Sequence, residues 1–273
     1  MRGEKGFLYE IFSSFQGEGS ALKGSCYGKR QIFIRFAGCN IALGDFGSQH
    51  CGCVWCDSPN SKKKEVEEVN VQSMPGTIDF QSYSNPSSTK FVLEHVKRLE
   101  SPDLHSISFT GGEPLFQDDY CKSLAELLVK QGYVLYLETN GSLPEVVRKV
   151  VHLFDYCSCD VKDRSSGAAD EKNWELLVNK EVETMKIFKD AGKEVFAKVV
   201  VTQNTTEEDV SWIAKKLKEI KVPLCLQIVT PYGPIKKAPN IQHVFKLTEK
   251  AAEYLSPENI AISTQMHKAL GIL

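Results

Sequence analysis

Short apolar runs alternate along this chain with longer stretches in which apolar residues recur at helical spacing. Residues 31–36, 106–110, 134–139, 156–161, 197–202, 224–229 and 260–263 read as strands. Residues 90–99, 119–130, 143–151, 174–191, 207–220 and 241–254 read as helices; in the second of these, Leu124, Leu127 and Leu128 fall on one face. The run KVVV at 198–201 has the continuous apolar character of a parallel strand covered on both sides. Such βα alternation predicts an α/β fold with a parallel sheet, closed into a full or partial barrel, with its chemistry at the carboxyl ends of the strands. Residues 61–88 break the pattern, opening with the charged run KKKEVEEV and continuing rich in Ser, Pro, Gln and Asn. They read as an excursion within a single domain spanning 1–273, and the charge run as a solvated face.

Composition narrows the setting. With 33 Lys and Arg against 35 Asp and Glu, the net charge of −2 argues against a broad nucleic-acid or membrane footprint. The opening MRGEKGFLYEIF has no long apolar segment of the secretory kind, and no run approaches membrane-spanning length. A reducing cytoplasm follows as the expected compartment, so the nine cysteines are expected as thiols or metal ligands rather than disulfides. Cys26, Cys121, Cys157, Cys159 and Cys225 are scattered and read as small buried apolar side chains.

Cys39, Cys53 and Cys56 are different. Cys53 and Cys56 form a C-x-x-C pair, and Cys39 adds a third thiolate just after the strand at 31–36. Three thiolates suit an iron–sulfur cube with one open iron. Cys51 makes the stretch C-x-C-x-x-C, so a fourth ligand, in a closed zinc site or an electron-transfer cluster, fits the local spacing as well. Polar groups stand at successive strand ends: TGGEP at 110–114, ETNG at 138–141, Asp160 and Lys162, then Gln227 with Thr230. The glycines of TGGEP let backbone approach a ligand closely. FQGEG at 15–19 suits a loop closing on a flat ligand, Arg35 can pair with a carboxylate, and Ser58 follows the cysteine pair.

Together FQGEG, RFAGCN, CVWCDS, TGGEP, ETNGS and the terminal QMHKALGIL resemble the radical S-adenosylmethionine superfamily, and within it the 7-carboxy-7-deazaguanine synthase family. The resemblance implies a modified, incomplete (β/α) barrel, usually a homodimer. It implies a lyase reaction that turns 6-carboxy-5,6,7,8-tetrahydropterin into 7-carboxy-7-deazaguanine with loss of ammonia. A [4Fe–4S] cluster, S-adenosylmethionine and Mg²⁺ would be needed, with a flavodoxin- or ferredoxin-like reductant. By the same resemblance Cys39, Cys53 and Cys56 hold the cluster and Ser58 binds Mg²⁺. Trp55, Cys56, Asp57, Gly112, Glu113, Asp160, Val161, Lys162, Gln227 and Thr230 would line S-adenosylmethionine. Phe15, Gln16, Gly17, Arg35, Thr110, His267 and the Leu273 carboxylate would contact the pterin. The chain departs from the superfamily pattern in three places. Thirteen residues separate Cys39 from Cys53 instead of three, Asp160-Val161-Lys162 replaces S-P-K, and Leu226-Gln227-Ile228 replaces L-Q-P. A radical activating enzyme for another substrate and a zinc-binding interaction module are the competing expectations.

Overall fold

The computed structural model describes residues 3–48, 50–265 and 271. In chain order its strands are β1 (Lys5–Gly6), β2 (Leu8–Phe15), β3 (Arg30–Phe36), β4 (Glu68–Gln72), β5 (Phe80–Ser84), β6 (Ser87–Ser88), β7 (Leu104–Gly111), β8 (Leu135–Thr139), β9 (Tyr156–Asp160), β10 (Glu194–Val201), β11 (Leu224–Ile228) and β12 (Ile260–Ser263). The helices are α1 (Thr89–Leu99), α2 (Asp118–Lys130), α3 (Pro144–Val150), α4 (Trp174–Asp190), α5 (Glu207–Ile220) and α6 (Ile241–Ala252).

One ten-stranded sheet runs β12-β11-β10-β9-β8-β7-β3-β2-β4-β5. From β3 through β7 to β12 every neighbouring pair is parallel, and β2 turns back antiparallel to β3. This is the α/β, incomplete-barrel arrangement that the strand–helix alternation predicts. Each parallel step returns through a helix that packs on the outer face of the sheet. Alternation along β3 shows the division of labour. Ile32, Ile34 and Phe36 are fully buried in the core shared with Val92, Leu124 and Val178 of the helices. Gln31, Phe33 and Arg35 point the other way, into the concave side.

Helix starts are fixed where side chains satisfy the free amides. Ser88 Oγ accepts the Phe91 N–H, Thr206 Oγ1 that of Asp209 and Asn240 Oδ1 that of His243.

Two elements differ from the expectation. The segment 61–88 is not a plain excursion, because it supplies β4 and β5, which extend the sheet beyond β2, and β6, which pairs with β1. Val69 and Val71 alternate inward on β4 and are fully buried. β2 itself was not foreseen: its polar-interrupted LYEIFSSF becomes a strand by pairing with β3 on one side and β4 on the other. Cys121, Cys157, Cys159 and Cys225 are buried as expected, while Cys26 is half-buried.

Candidate functional site

Carboxyl ends of the parallel strands surround a cavity of about 190 Å³. Cys39, Cys53 and Cys56 all line it, whereas Cys51 is exposed and does not. Cys39 follows β3 directly, and a turn with Cys56 N–H on Cys53 O (3.2 Å) brings the other two thiols to the same wall. Burial pushes all three thiols up, Cys53 to about 12, with the Lys162 ammonium working in the opposite direction on each. Iron loading must therefore displace protons here. Among the described residues no group of three or more His, Cys, Asp or Glu gathers closely enough for a single metal ion. Three thiols facing one cavity fit a polynuclear cluster, which fills the space between its ligands. Trp55 also lines the cavity, and its buried indole N–H has no partner among the described residues. That orphaned donor is what a polar cofactor beside the cluster would meet.

The double glycine of TGGEP has a reason in the chain itself. A Cβ at Gly112 would stand 2.1 Å from the Gly38 carbonyl oxygen, and one at Gly111 (φ +119°) 2.4 Å from that of Phe36. The turn packs against the segment leading to Cys39 and is tied to it by Gly112 N–H to Phe36 O (3.0 Å) and Glu113 N–H to Gly38 O (2.7 Å). The Glu113 side chain does not reach the cavity. Its fully buried carboxyl accepts from Thr139 Oγ1 (2.9 Å), Asn140 N (2.7 Å) and Leu115 N (3.0 Å), joining the TGGEP and ETNG turns. Burial pushes that carboxyl up to about 7, against the pull of these donors. Asn140 passes the link onward, donating to Asn40 Oδ1 at 3.0 Å with Cys39 Sγ 4.0 Å away.

Strand register sets the polar floor. Lys198 on β10 lies opposite Asp160 on β9, and Glu138 on β8 lies opposite Ser158. Lys198 Nζ bridges Glu18 and Asp160, the latter at 2.7 Å, and Lys162 Nζ holds Asp160 at 2.6 Å while sitting 4.6 Å from the Trp55 ring centre. Burial raises the Asp160 carboxyl, but the Lys162 and Lys198 ammoniums outweigh it and hold it below its usual range. Glu18 goes the other way: burial lifts it to about 7 despite Lys198, with Glu138 and Asp160 adding to the rise. Glu138 accepts from Gln16 Nε2 (2.9 Å) and Thr110 Oγ1 (2.5 Å), and Gln16 continues to Gln31 (3.0 Å) and Ser106 beyond it (2.8 Å). At the rim Arg35 pairs with Glu10 (3.1 Å) and donates to Ser58 Oγ (2.7 Å), beside Asp57.

Most residues singled out in the sequence thus meet in one cavity. From the end of β2 comes Phe15, from the loop after it Gln16 and Gly17, from β3 Arg35, and from the cysteine loop Trp55, Asp57 and Ser58. The later strand ends bring Thr110, Gly112, Asp160, Lys162, Gln227 and Thr230. Glu113 and Val161 are the departures, since both are buried behind the lining. For Val161 the cause is strand alternation, which turns its side chain into the core shared with the helices. His267 and Leu273 lie outside the described residues. The lining also contains Glu18, Glu138, Asn140 and Lys198, which sequence reasoning did not assign. Glu18, Glu138 and Asn140 stood inside the FQGEG and ETNG motifs. For Lys198 the signal was a lysine interrupting the apolar strand FAKVVV.

Comparison with known proteins gives the family. Residues 37–217 match the model of the radical SAM superfamily, to which the chain belongs. A radical SAM methyltransferase from Sphaerobacter thermophilus shares the fold at a TM-score of 0.58, with 12% identity over 86% of this chain and 66% of that one. Streptococcus suis SuiB does so at 0.52, with 15% identity over 86% of this chain and 48% of the longer SuiB. Within the superfamily the chain belongs to the 7-carboxy-7-deazaguanine synthase family. It is 40% identical to the 7-carboxy-7-deazaguanine synthase of Thermococcus kodakarensis over 97% of this chain and 98% of that protein. With that of Methanocaldococcus jannaschii it shares 35% identity over 97% and 100%, and with that of Geobacter sulfurreducens 31% over 97% of each.

Proposed function

We propose that this chain is a 7-carboxy-7-deazaguanine synthase, a lyase of 7-deazapurine biosynthesis that contracts the ring of 6-carboxy-5,6,7,8-tetrahydropterin with loss of ammonia. The observation that carries this reading is one cavity lined by three thiols together with Gln16, Arg35 and Glu138. Identity across nearly the whole length of several proteins bearing that name supports it. Cys39, Cys53 and Cys56 would hold a [4Fe–4S] cluster, leaving one iron for the amino and carboxylate groups of S-adenosylmethionine. When bound, cluster and cofactor together supply the radical chemistry that takes the hydrogen from C6 of the pterin.

The residues of the chain bind, orient and keep water out. Trp55, Asp57, Gly112, Asp160, Lys162, Gln227 and Thr230 would lie along S-adenosylmethionine. The alternating charges of Asp160, Lys162 and Lys198 suit a zwitterion with a cationic sulfonium. Phe15, Gln16, Gly17, Thr110 and Arg35 would hold the pterin, with Arg35 directed to its carboxylate. Glu138 offers acceptor oxygens to the N–H groups of an aminopyrimidine. Ser58, with Asp57 beside it, offers hard oxygen donors for Mg²⁺. Glu113 acts from behind, by holding the TGGEP turn. We take 1–273 as one radical SAM domain acting as a homodimer in the cytoplasm with a flavodoxin- or ferredoxin-like reductant; no described helix is long and apolar enough to cross a membrane.

The test is anaerobic purification, reconstitution with iron and sulfide, and incubation with S-adenosylmethionine, dithionite, Mg²⁺ and carboxytetrahydropterin, followed by mass spectrometry. Carboxydeazaguanine is the expected product. Cleavage of S-adenosylmethionine with untouched pterin would keep the superfamily chemistry and discard the substrate.

A further inference from the structure

Helix α4 stands behind two of the turns that line the cavity. Thr184 Oγ1 donates to Gly141 O at 2.8 Å, and a Cβ added at Gly141 would meet Glu181 Cα at 3.0 Å, so helix and ETNG turn are in close contact. One turn earlier on α4, Glu181 Oε2 accepts the Lys162 N–H at 3.2 Å. This amide lies just past the β9–β10 ladder, where Val161 N–H makes a 2.7 Å bond to Lys198 O. Glu181 thus continues the anchoring of the strand end by one residue.

The Glu181 side chain is fully buried, and its other oxygen, Oε1, has no hydrogen-bond partner among the described residues. Burial drives its carboxyl well above the ordinary carboxylate range, opposed by Lys162. A methionine of similar volume would occupy this position without desolvating a carboxyl group. What glutamate supplies here and methionine cannot is the acceptor for the buried Lys162 amide. Lys162 itself is a cavity residue whose ammonium is fixed between Asp160 and the Trp55 ring.

We propose that Glu181 is a positioning residue for S-adenosylmethionine binding: from α4 it fixes the backbone of Lys162, and through it the placement of the Lys162 ammonium between Asp160 and Trp55. The inference rests on the reading of that side of the cavity as the cofactor site.

The experiment measures the equilibrium dissociation constant for S-adenosylmethionine by calorimetry on the reconstituted, oxidised holoprotein without reductant, so that nothing turns over. It compares wild type with Glu181→Gln, Glu181→Asp and Glu181→Met, each with its thermal midpoint. Gln keeps an acceptor for the amide, Asp is too short to reach it, and Met removes it. The expected result is a dissociation constant raised about tenfold in the Asp and Met variants, equivalent to about 1.4 kcal/mol. The Gln variant should stay within about twofold of wild type, and in the Met variant the unpaired Lys162 amide offsets the relief of the buried carboxyl, so the loss of affinity should exceed any fall in its midpoint. Wild-type affinity in the Met variant overturns the inference; if that variant does not fold, wild-type affinity in the Asp variant does the same. Equal losses in all three variants, in step with falling midpoints, assign Glu181 to packing alone and also overturn it. A wild-type holoprotein that binds no S-adenosylmethionine overturns the functional reading itself, which is a separate result from a binding wild type beside an unaffected variant.

Discussion

Replacing Lys198 with methionine would remove a buried cation from between two carboxylates. Lys198 is 7% exposed, and its ammonium pairs with Asp160 at 2.7 Å and with Glu18. Asp160 keeps Lys162 at 2.6 Å, so Glu18 is the group left without its cation. Breaking a buried pair from one side costs about 3–5 kcal/mol when the remaining charge cannot escape. Glu18 can escape by keeping its proton, and this makes the cost depend on pH. In the wild type burial already lifts Glu18 from 4.5 to about 7. A raised acid destabilises the fold progressively as pH climbs from the unfolded to the folded pKa, because over that window the unfolded chain releases the proton and the folded one retains it. Without Lys198 the folded value rises further. Below pH 7 the two proteins then lose stability in parallel. Above it only the variant continues to lose, at one proton per molecule, or about 1.4 kcal/mol per pH unit. Urea denaturation of both proteins at pH 6, 7, 8 and 9, under reductant and without iron, reads this directly, and titrating groups remote from Lys198 cancel in the difference. A gap constant below pH 7 that opens by roughly 2–3 kcal/mol between pH 7 and 9 is expected. Parallel curves across the whole range would refute the assignment of Lys198 as the counter-charge of Glu18.

Four further substitutions test other parts of the site. Cys56→Ala should abolish the cluster whereas Cys51→Ala, at an exposed position off the cavity, should keep it, as read by iron content and visible absorption of the reconstituted proteins. Arg35→Ala should leave iron content intact and weaken pterin binding by about 1.5–3 kcal/mol, the worth of a hydrogen bond to a charged group; unchanged affinity would remove Arg35 from the substrate wall. Gly112→Ala places a Cβ 2.1 Å from the Gly38 carbonyl oxygen, so backbone must move, and a loss of at least about 1–3 kcal/mol in thermal unfolding is expected along with impaired cluster loading.

What the sequence by itself determined is local in origin. Apolar alternation and helical spacing placed β3 and β7–β12 within a few residues, because each strand carries its own pattern of buried positions. The cysteine triplet, the double glycine and the FQGEG and ETNG motifs were legible because their chemistry depends on residue type and close spacing. What the tertiary structure decided depended on partners far along the chain. β4 became a strand through pairing with β2, some sixty residues earlier, and nothing within EVNVQ announces that neighbour. Cys51 and Cys53 are two residues apart and equivalent by spacing, yet only Cys53 faces the cavity. Glu113 stood in a legible motif, but the sequence did not show that its carboxyl is taken up by donors from the β8 end. Lys198 read as part of an apolar strand until parallel register set it opposite Asp160. A side chain's type fixes what it can bind, but which groups lie within reach is set by strand register and helix packing, and those are properties of the whole fold.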